Sequence, residues 1–128
     1  MKENKVSVVI NKPVREVFEF TTDPRNTHLW VQSIKKEVAD EYPPKVGTIY
    51  KNRGDDDEWR VFKVSEFEPN KSFIITEGAG NFSVKYTYKE IDDKTTELIY
   101  LEWVIKGELK EMFSDKTLQG LKEIIEKS

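Results

Sequence analysis

From Asn81 onward the chain alternates between apolar and polar positions. Phe82, Val84, Tyr86 and Tyr88 form one set, and Ser83, Lys85, Thr87 and Lys89 fill the places between them. A period of two puts one set against a core and the other in water, the mark of a half-buried strand. Residues 95–106 are apolar on both phases. Ile99, Leu101, Trp103 and Ile105 lie on one, and Leu98, Tyr100 and Val104 on the other, with Glu102 interrupting the second. That pattern predicts a central or doubly covered strand. The Trp103 phase is expected to face the core and Glu102 the solvated side.

Turn residues cut the middle of the chain into short strand-like pieces. They cluster at 52–58, at Glu68-Pro69-Asn70, at Gly78-Ala79-Gly80 and at Asp92-Asp93-Lys94. These residue types supply unusual backbone angles or local side-chain bonds. The pieces between them are rich in Val, Ile, Thr, Tyr, Phe and Trp, which favour strands. An earlier strand is expected at 6–10.

Helical signals stand at the two ends of this run. Pro13 suits a first helical position, and Val14, Val17 and Phe18 follow at helical spacing as far as Phe20. Asp23-Pro24 is a second start signal, predicting a short helix that ends near Trp30 and Val31. The segment 108–127 carries Leu109, Met112, Phe113, Leu121, Ile124 and Ile125 as an amphipathic stripe, with Thr117 and Gly120 on it. The expected order is one strand, two short helices, about six strands and a long C-terminal helix. An antiparallel sheet with one apolar face must bury it, and the last helix is the element long enough to do so. The expected fold is α+β, a curved sheet of about six to seven strands wrapped around that helix, with a pocket at its mouth.

Composition narrows the chemistry. The chain has 128 residues, 35% charged and 37% hydrophobic, the size of one domain spanning 1–128. Acids number 24 and basic residues 21, a net charge of −3, which argues against a protein built to grip nucleic-acid backbones. There is no cysteine and one histidine, so thiolate chemistry and Cys- or His-cluster metal sites are excluded. No cofactor or metal is expected. The polar start, with no leader-like or membrane-spanning run, predicts a cytoplasmic protein that does not insert into membranes.

Specific segments then resemble a known superfamily. They are INKPVREVFEFTTDPRNTHLW at 10–30, where a strand yields to a Pro-led helix and then to Asp-Pro and Trp, VGTIY at 46–50, VSEFEPNKSFIIT at 64–76, and the final amphipathic helix. Together they resemble the START-like helix-grip superfamily (SRPBCC) in its polyketide cyclase/dehydrase branch, with the Hsp90-ATPase-activator-like branch close behind. The resemblance runs over essentially the whole chain and implies an apolar cavity between the sheet and the C-terminal helix. It does not imply one activity, because the superfamily spans cyclases, lipid carriers, hormone receptors and co-chaperones.

The candidate cavity residues are Trp30, Tyr50, Trp59, Phe73, Phe82, Tyr86, Trp103, Met112, Phe113, Thr117 and Gly120. Aromatic rings give a flat or lipid-like ligand a large contact area; the plainer reading of each is core packing. Gly120 inside a helix costs about 1 kcal/mol relative to alanine, offset either by space for a ligand or, the preferred reading, by close packing. Tyr86, Tyr100 and Glu102 are candidate orienting groups. Arg53, Arg60, Glu77 and Lys85 are candidates for a polar cluster at the cavity. His28 has no nucleophile or acid placed beside it and reads as a surface histidine. Asp55-Asp56-Asp57-Glu58 lacks the spacing of a calcium loop and reads as a hairpin tip. No catalytic residue is assigned.

These features favour binding of a small hydrophobic or amphipathic molecule, because the inward phases are mainly apolar. The alternatives are a polyketide cyclase/dehydratase-type enzyme and a chaperone-cofactor-like module. The sequence leaves open a protein partner or a second copy at a sheet edge.

Overall fold

The computed structural model describes residues 1–110 and 112–128. Among them, strands β1 (Lys2–Ile10), β2 (Lys36–Ala39), β3 (Ile49–Arg53), β4 (Arg60–Glu68), β5 (Ser72–Glu77), β6 (Phe82–Asp92) and β7 (Thr95–Val104) form one antiparallel sheet in the order β1-β7-β6-β5-β4-β3-β2. Neighbours from β2 to β7 follow chain order. β1 closes the far edge by pairing with β7. Bulges between Val64 and Glu66 and between Glu90 and Asp92 add local twist. This is an α+β helix-grip fold, as the pattern predicts.

The alternation on β6 sets the inner face: Val84, Tyr86 and Tyr88 are buried and Phe82 packs against them. Register then decides β7. Val84 lies opposite Glu102, Tyr86 opposite Tyr100 and Tyr88 opposite Leu98. Opposed residues share a face, so Leu98, Tyr100, Glu102 and Val104 point inward and Trp103 points outward. The expected phase of β7 is therefore reversed. The reversal is possible because one oxygen of the Glu102 carboxylate is held by two donors: Asn4 Nδ2 and the Phe113 backbone N–H both donate to its Oε2 at 3.0 Å. A buried charge without such donors would be prohibitive.

Helix α1 (Val14–Thr22) follows Pro13, which caps it, and buries Val17, Phe18, Thr21 and Thr22. The second expected helix is only the 3₁₀ turn Thr27–Leu29, after which Trp30 and Val31 are buried. Helix α2 (Asp115–Glu126) starts later than the apolar stripe predicts. The Ser114 side chain accepts from the Thr117 N–H while the Thr117 hydroxyl accepts from the Ser114 N–H, a reciprocal capping box. Upstream, the Phe113 N–H is taken by Glu102 and the Phe113 carbonyl accepts from Asn4 Nδ2 at 2.8 Å, so the helix has no backbone groups there to extend into. Met112 and Phe113 consequently sit in a non-helical lead-in, with Met112 55% exposed. The buried stripe of α2 is Leu118, Leu121 and Ile125.

Lys122 Nζ donates to the Val9 carbonyl at 2.8 Å and the Asn11 N–H donates to Glu126 at 2.7 Å, tying α2 to the β1 side of the sheet. The far half of the concave face is left to other cover. Among the described residues, no helix is long and apolar enough to cross a membrane.

Candidate functional site

The uncovered part of the concave face encloses a cavity of about 460 Å³. Its floor is the inward phase of the sheet: Tyr50 and Asn52 from β3, Phe62 from β4, Phe73 and Ile75 from β5, Phe82, Val84 and Tyr86 from β6, and Tyr100, Glu102 and Val104 from β7. Its cover comes from Thr27, Val31, Ser33, Ile34 and Glu37 on one side and Phe113 on the other. No described residue of α2 lines it. The helix packs its stripe solidly, with Leu118 and Leu121 fully buried, so the cavity lies beside the helix, under the loop after α1 and the lead-in to α2.

Aromatic rings line the cavity in contact with one another. Tyr100 stacks on Phe113 at 4.4 Å, Tyr86 meets Tyr100 edge-on at 5.3 Å, and Phe73 lies 5.7 Å from both Tyr86 and Tyr50. Trp30 meets Phe113 edge-on at 5.4 Å. Such offset contacts hold rings in fixed positions, giving the cavity a preformed shape.

Polar groups are set into this wall. Glu37 accepts from the Thr27 hydroxyl at 2.5 Å and from Asn52 Nδ2 at 3.2 Å. Burial raises its pKa above the ordinary carboxyl value, although those two bonds pull the other way. The Glu102 bonds both fall on Oε2, and Oε1 has no partner among the described residues. The Tyr50 hydroxyl donates to the Thr22 carbonyl at 2.5 Å, and the Tyr88 and Thr21 hydroxyls are 2.6 Å apart. The Tyr86 and Tyr100 hydroxyls have no partner among the described residues. Burial holds both phenols well above their ordinary pKa, and for Tyr100 the Glu102 charge adds to it. The cavity can therefore offer neutral hydroxyl donors, a carboxylate acceptor and, at Glu37, a carboxyl group that burial inclines to hold its proton.

Charge gathers at the mouth. Arg60 and Lys110 stand there with Glu77 and Glu108, two of each sign. Of the polar cluster considered from sequence, Arg60 and Glu77 reach the cavity. Arg53 instead pairs with Asp57 at 3.0 Å and lies 5.5 Å from the Trp59 ring, and Lys85 pairs with Glu66 at 3.8 Å.

A wider groove of about 970 Å³ runs between the 3₁₀ turn and α2. Trp30, Met112, Thr117 and Gly120 line this groove, while Tyr50, Phe73, Phe82 and Tyr86 line the cavity; Phe113, Val31 and Ser33 border both. Trp59 is 46% exposed at the β3–β4 hairpin. Trp103 lies on the outer sheet face, and neither tryptophan is among the cavity or groove residues. A Cβ added at Gly120 would meet nothing within 4 Å, so open space rather than close packing accompanies that glycine. The close approach is at Gly54, where an added Cβ would fall 2.7 Å from the Ser33 carbonyl oxygen. His28 is exposed, and residues 55–58 lie in the β3–β4 hairpin.

Glu37, Asn52 and Thr27 were not legible as site residues. Asn52 had one usable signal: it shares a phase with Tyr50 on a strand whose other positions are Ile49, Lys51 and Arg53. Glu37 lies on the four-residue strand β2, too short for a periodic signal. The described residues bring together no group of three or more acidic or histidine side chains placed to hold a metal ion.

Comparison with known proteins follows the same lines. The sequence model of the family described as polyketide cyclase/dehydrase and lipid transport matches residues 1–127. No curated protein matches the chain by sequence. Among solved structures, the dimer of Aha1 from Colwellia psychrerythraea is similar at 15% identity, covering 98% of this chain and 97% of that one with a TM-score of 0.73. A protein from Mesorhizobium loti is similar at 18% identity, 98% and 95% coverage and a TM-score of 0.73. The di-domain ARO/CYC BexL from the BE-7585A biosynthetic pathway is similar at 11% identity and a TM-score of 0.65, with 81% of this chain covering 36% of that one. At these identities the structural likeness shows a shared fold.

Proposed function

We propose that this chain, which belongs to the polyketide cyclase/dehydrase and lipid transport family, holds a small apolar or amphipathic molecule in the cavity beside α2. The observation that carries this reading is the cavity itself: about 460 Å³, walled by rings that brace one another, with the Tyr86 and Tyr100 hydroxyls unpaired among the described residues. Such a site suits a ligand with a flat apolar body and a few polar groups. A folded protein that needed no ligand would gain by filling that space.

Thermal unfolding tests the reading against a panel of flavonoids, fatty acids and aromatic polyketide mimics. A ligand that binds only the native state raises the melting temperature with the logarithm of its concentration relative to its Kd. We expect a saturable rise with at least one aromatic member, removed by Val84→Phe, which fills the cavity floor. A panel without any response would refute the reading.

A second reading, catalysis of the cyclase/dehydratase kind, is favoured by Glu37. A buried carboxyl group with a raised pKa is the type of residue that moves a proton. Turnover of a polyketide mimic that is lost in Glu37→Gln while binding persists would establish it.

A further inference from the structure

Resting on the reading of the cavity as a ligand site, we infer that it selects ligands that bring hydrogen-bond donors inside, such as neutral phenols, alcohols or amines, and rejects those that would place a carboxylate, sulfate or phosphate there.

The groups inside the cavity are one-sided in charge. Glu102 is 1% exposed, and its Oε2 takes both protein donors, leaving Oε1 as the acceptor available to a ligand. Glu37 has one protein donor on each oxygen. Tyr86 and Tyr100 line the same cavity, and each hydroxyl can donate and accept. No lysine or arginine lines the interior among the described residues. The cations that touch the cavity, Arg60 and Lys110, are exposed at its mouth. Arg60 has Asp56 at 3.9 Å, and Glu77 and Glu108 stand at the same mouth. The rim therefore provides no net positive field to draw an anion in.

The consequences for a ligand follow from desolvation. A hydroxyl or amine entering the cavity exchanges water for Glu102 Oε1 or a tyrosine oxygen and stays paired. A carboxylate gives up stronger hydration and stands in a low-dielectric space with the Glu102 carboxylate. Like charges placed together in such a site are a device for excluding the wrong ligand. Fatty acids and phospholipid headgroups fall in the rejected class, and hydroxylated aromatic molecules in the accepted one.

The test uses two probes with one skeleton, para-phenylphenol and para-phenylbenzoate, titrated calorimetrically into the full chain near neutral pH. The phenol is expected to bind at least about tenfold more tightly. Replacing the buried carboxylate by Glu102→Gln is expected to shrink that ratio by improving benzoate binding, because glutamine keeps an acceptor, adds a donor and removes the charge. Equal affinities in the unaltered protein, or tighter binding of benzoate, would overturn the selectivity and leave the cavity reading standing. A ratio unchanged in folded Glu102→Gln would also overturn it, since the discrimination would then arise elsewhere. Silence from both probes, alongside no response in the thermal panel, brings down the cavity reading itself. The comparison in the unaltered protein decides the matter even if a variant fails to fold.

Discussion

Gly54 and Gly120 show how one residue type can serve opposite purposes. At Gly54 the backbone after β3 runs against the Ser33 carbonyl, and a Cβ would lie 2.7 Å from that oxygen. At Gly120 a Cβ would project into open groove. Gly120→Ala is therefore expected to stabilise the protein by about 0.5–1 kcal/mol through helix propensity alone. Gly54→Ala is expected to destabilise it by about 1–3 kcal/mol, the usual range for forced overpacking. Urea unfolding midpoints of the two variants check both signs, and a destabilising Gly120→Ala would mean the groove is not open. Sequence reading assigned close packing to Gly120 because a helical glycine demands some compensation. Gly54 lies within a run of turn residues, where glycine needs no special reason, so its close contact left no trace in the sequence.

Strand β6 and helix α2 mark the range of legibility among the elements. β6 was readable because four apolar and four polar residues alternate without a break from Phe82 to Lys89. Val84→Asp would set a charge against Glu102 on the buried face and is expected to cost about 3 kcal/mol or more, enough to unfold a marginal protein. Lys85→Asp would lose the half-exposed pair with Glu66 and is expected to cost under about 1 kcal/mol. Circular dichroism and urea titration of the pair decide it, and equal tolerance would contradict the assigned faces. The start of α2 was not readable from its stripe. Met112 and Phe113 continue the helical spacing, but the Phe113 backbone is engaged elsewhere by Glu102 and Asn4. What starts the helix is the Ser114–Thr117 capping box, a polar signal that the apolar stripe ran straight through.

For the molecule as a whole, the tyrosines make an alkaline transition expected. Burial is the first cause raising Tyr50, Tyr86, Tyr88 and Tyr100 above the ordinary phenol pKa. In the unfolded chain they ionise near about 10. Stability tied to the neutral phenols is therefore full below that pH and is lost as pH rises toward the folded-state values. Tyrosinate absorbance and loss of near-ultraviolet circular dichroism should rise together as one cooperative step. A gradual titration near the ordinary pKa with the fold intact would show that these hydroxyls are open to bulk water. The sequence by itself determined the order of elements, the inner face of β6, the Pro13 helix start and the family, because each is written in near neighbours: alternation, a proline, a run of motifs. Only the tertiary structure decided which phase of β7 turns inward, where α2 begins and which polar groups meet in the cavity. Those depend on partners far apart in the chain. Asn4 reaches Glu102 across 98 residues and Tyr50 reaches Thr22 across 28, and whether a buried polar group is tolerated depends on whether such a partner arrives.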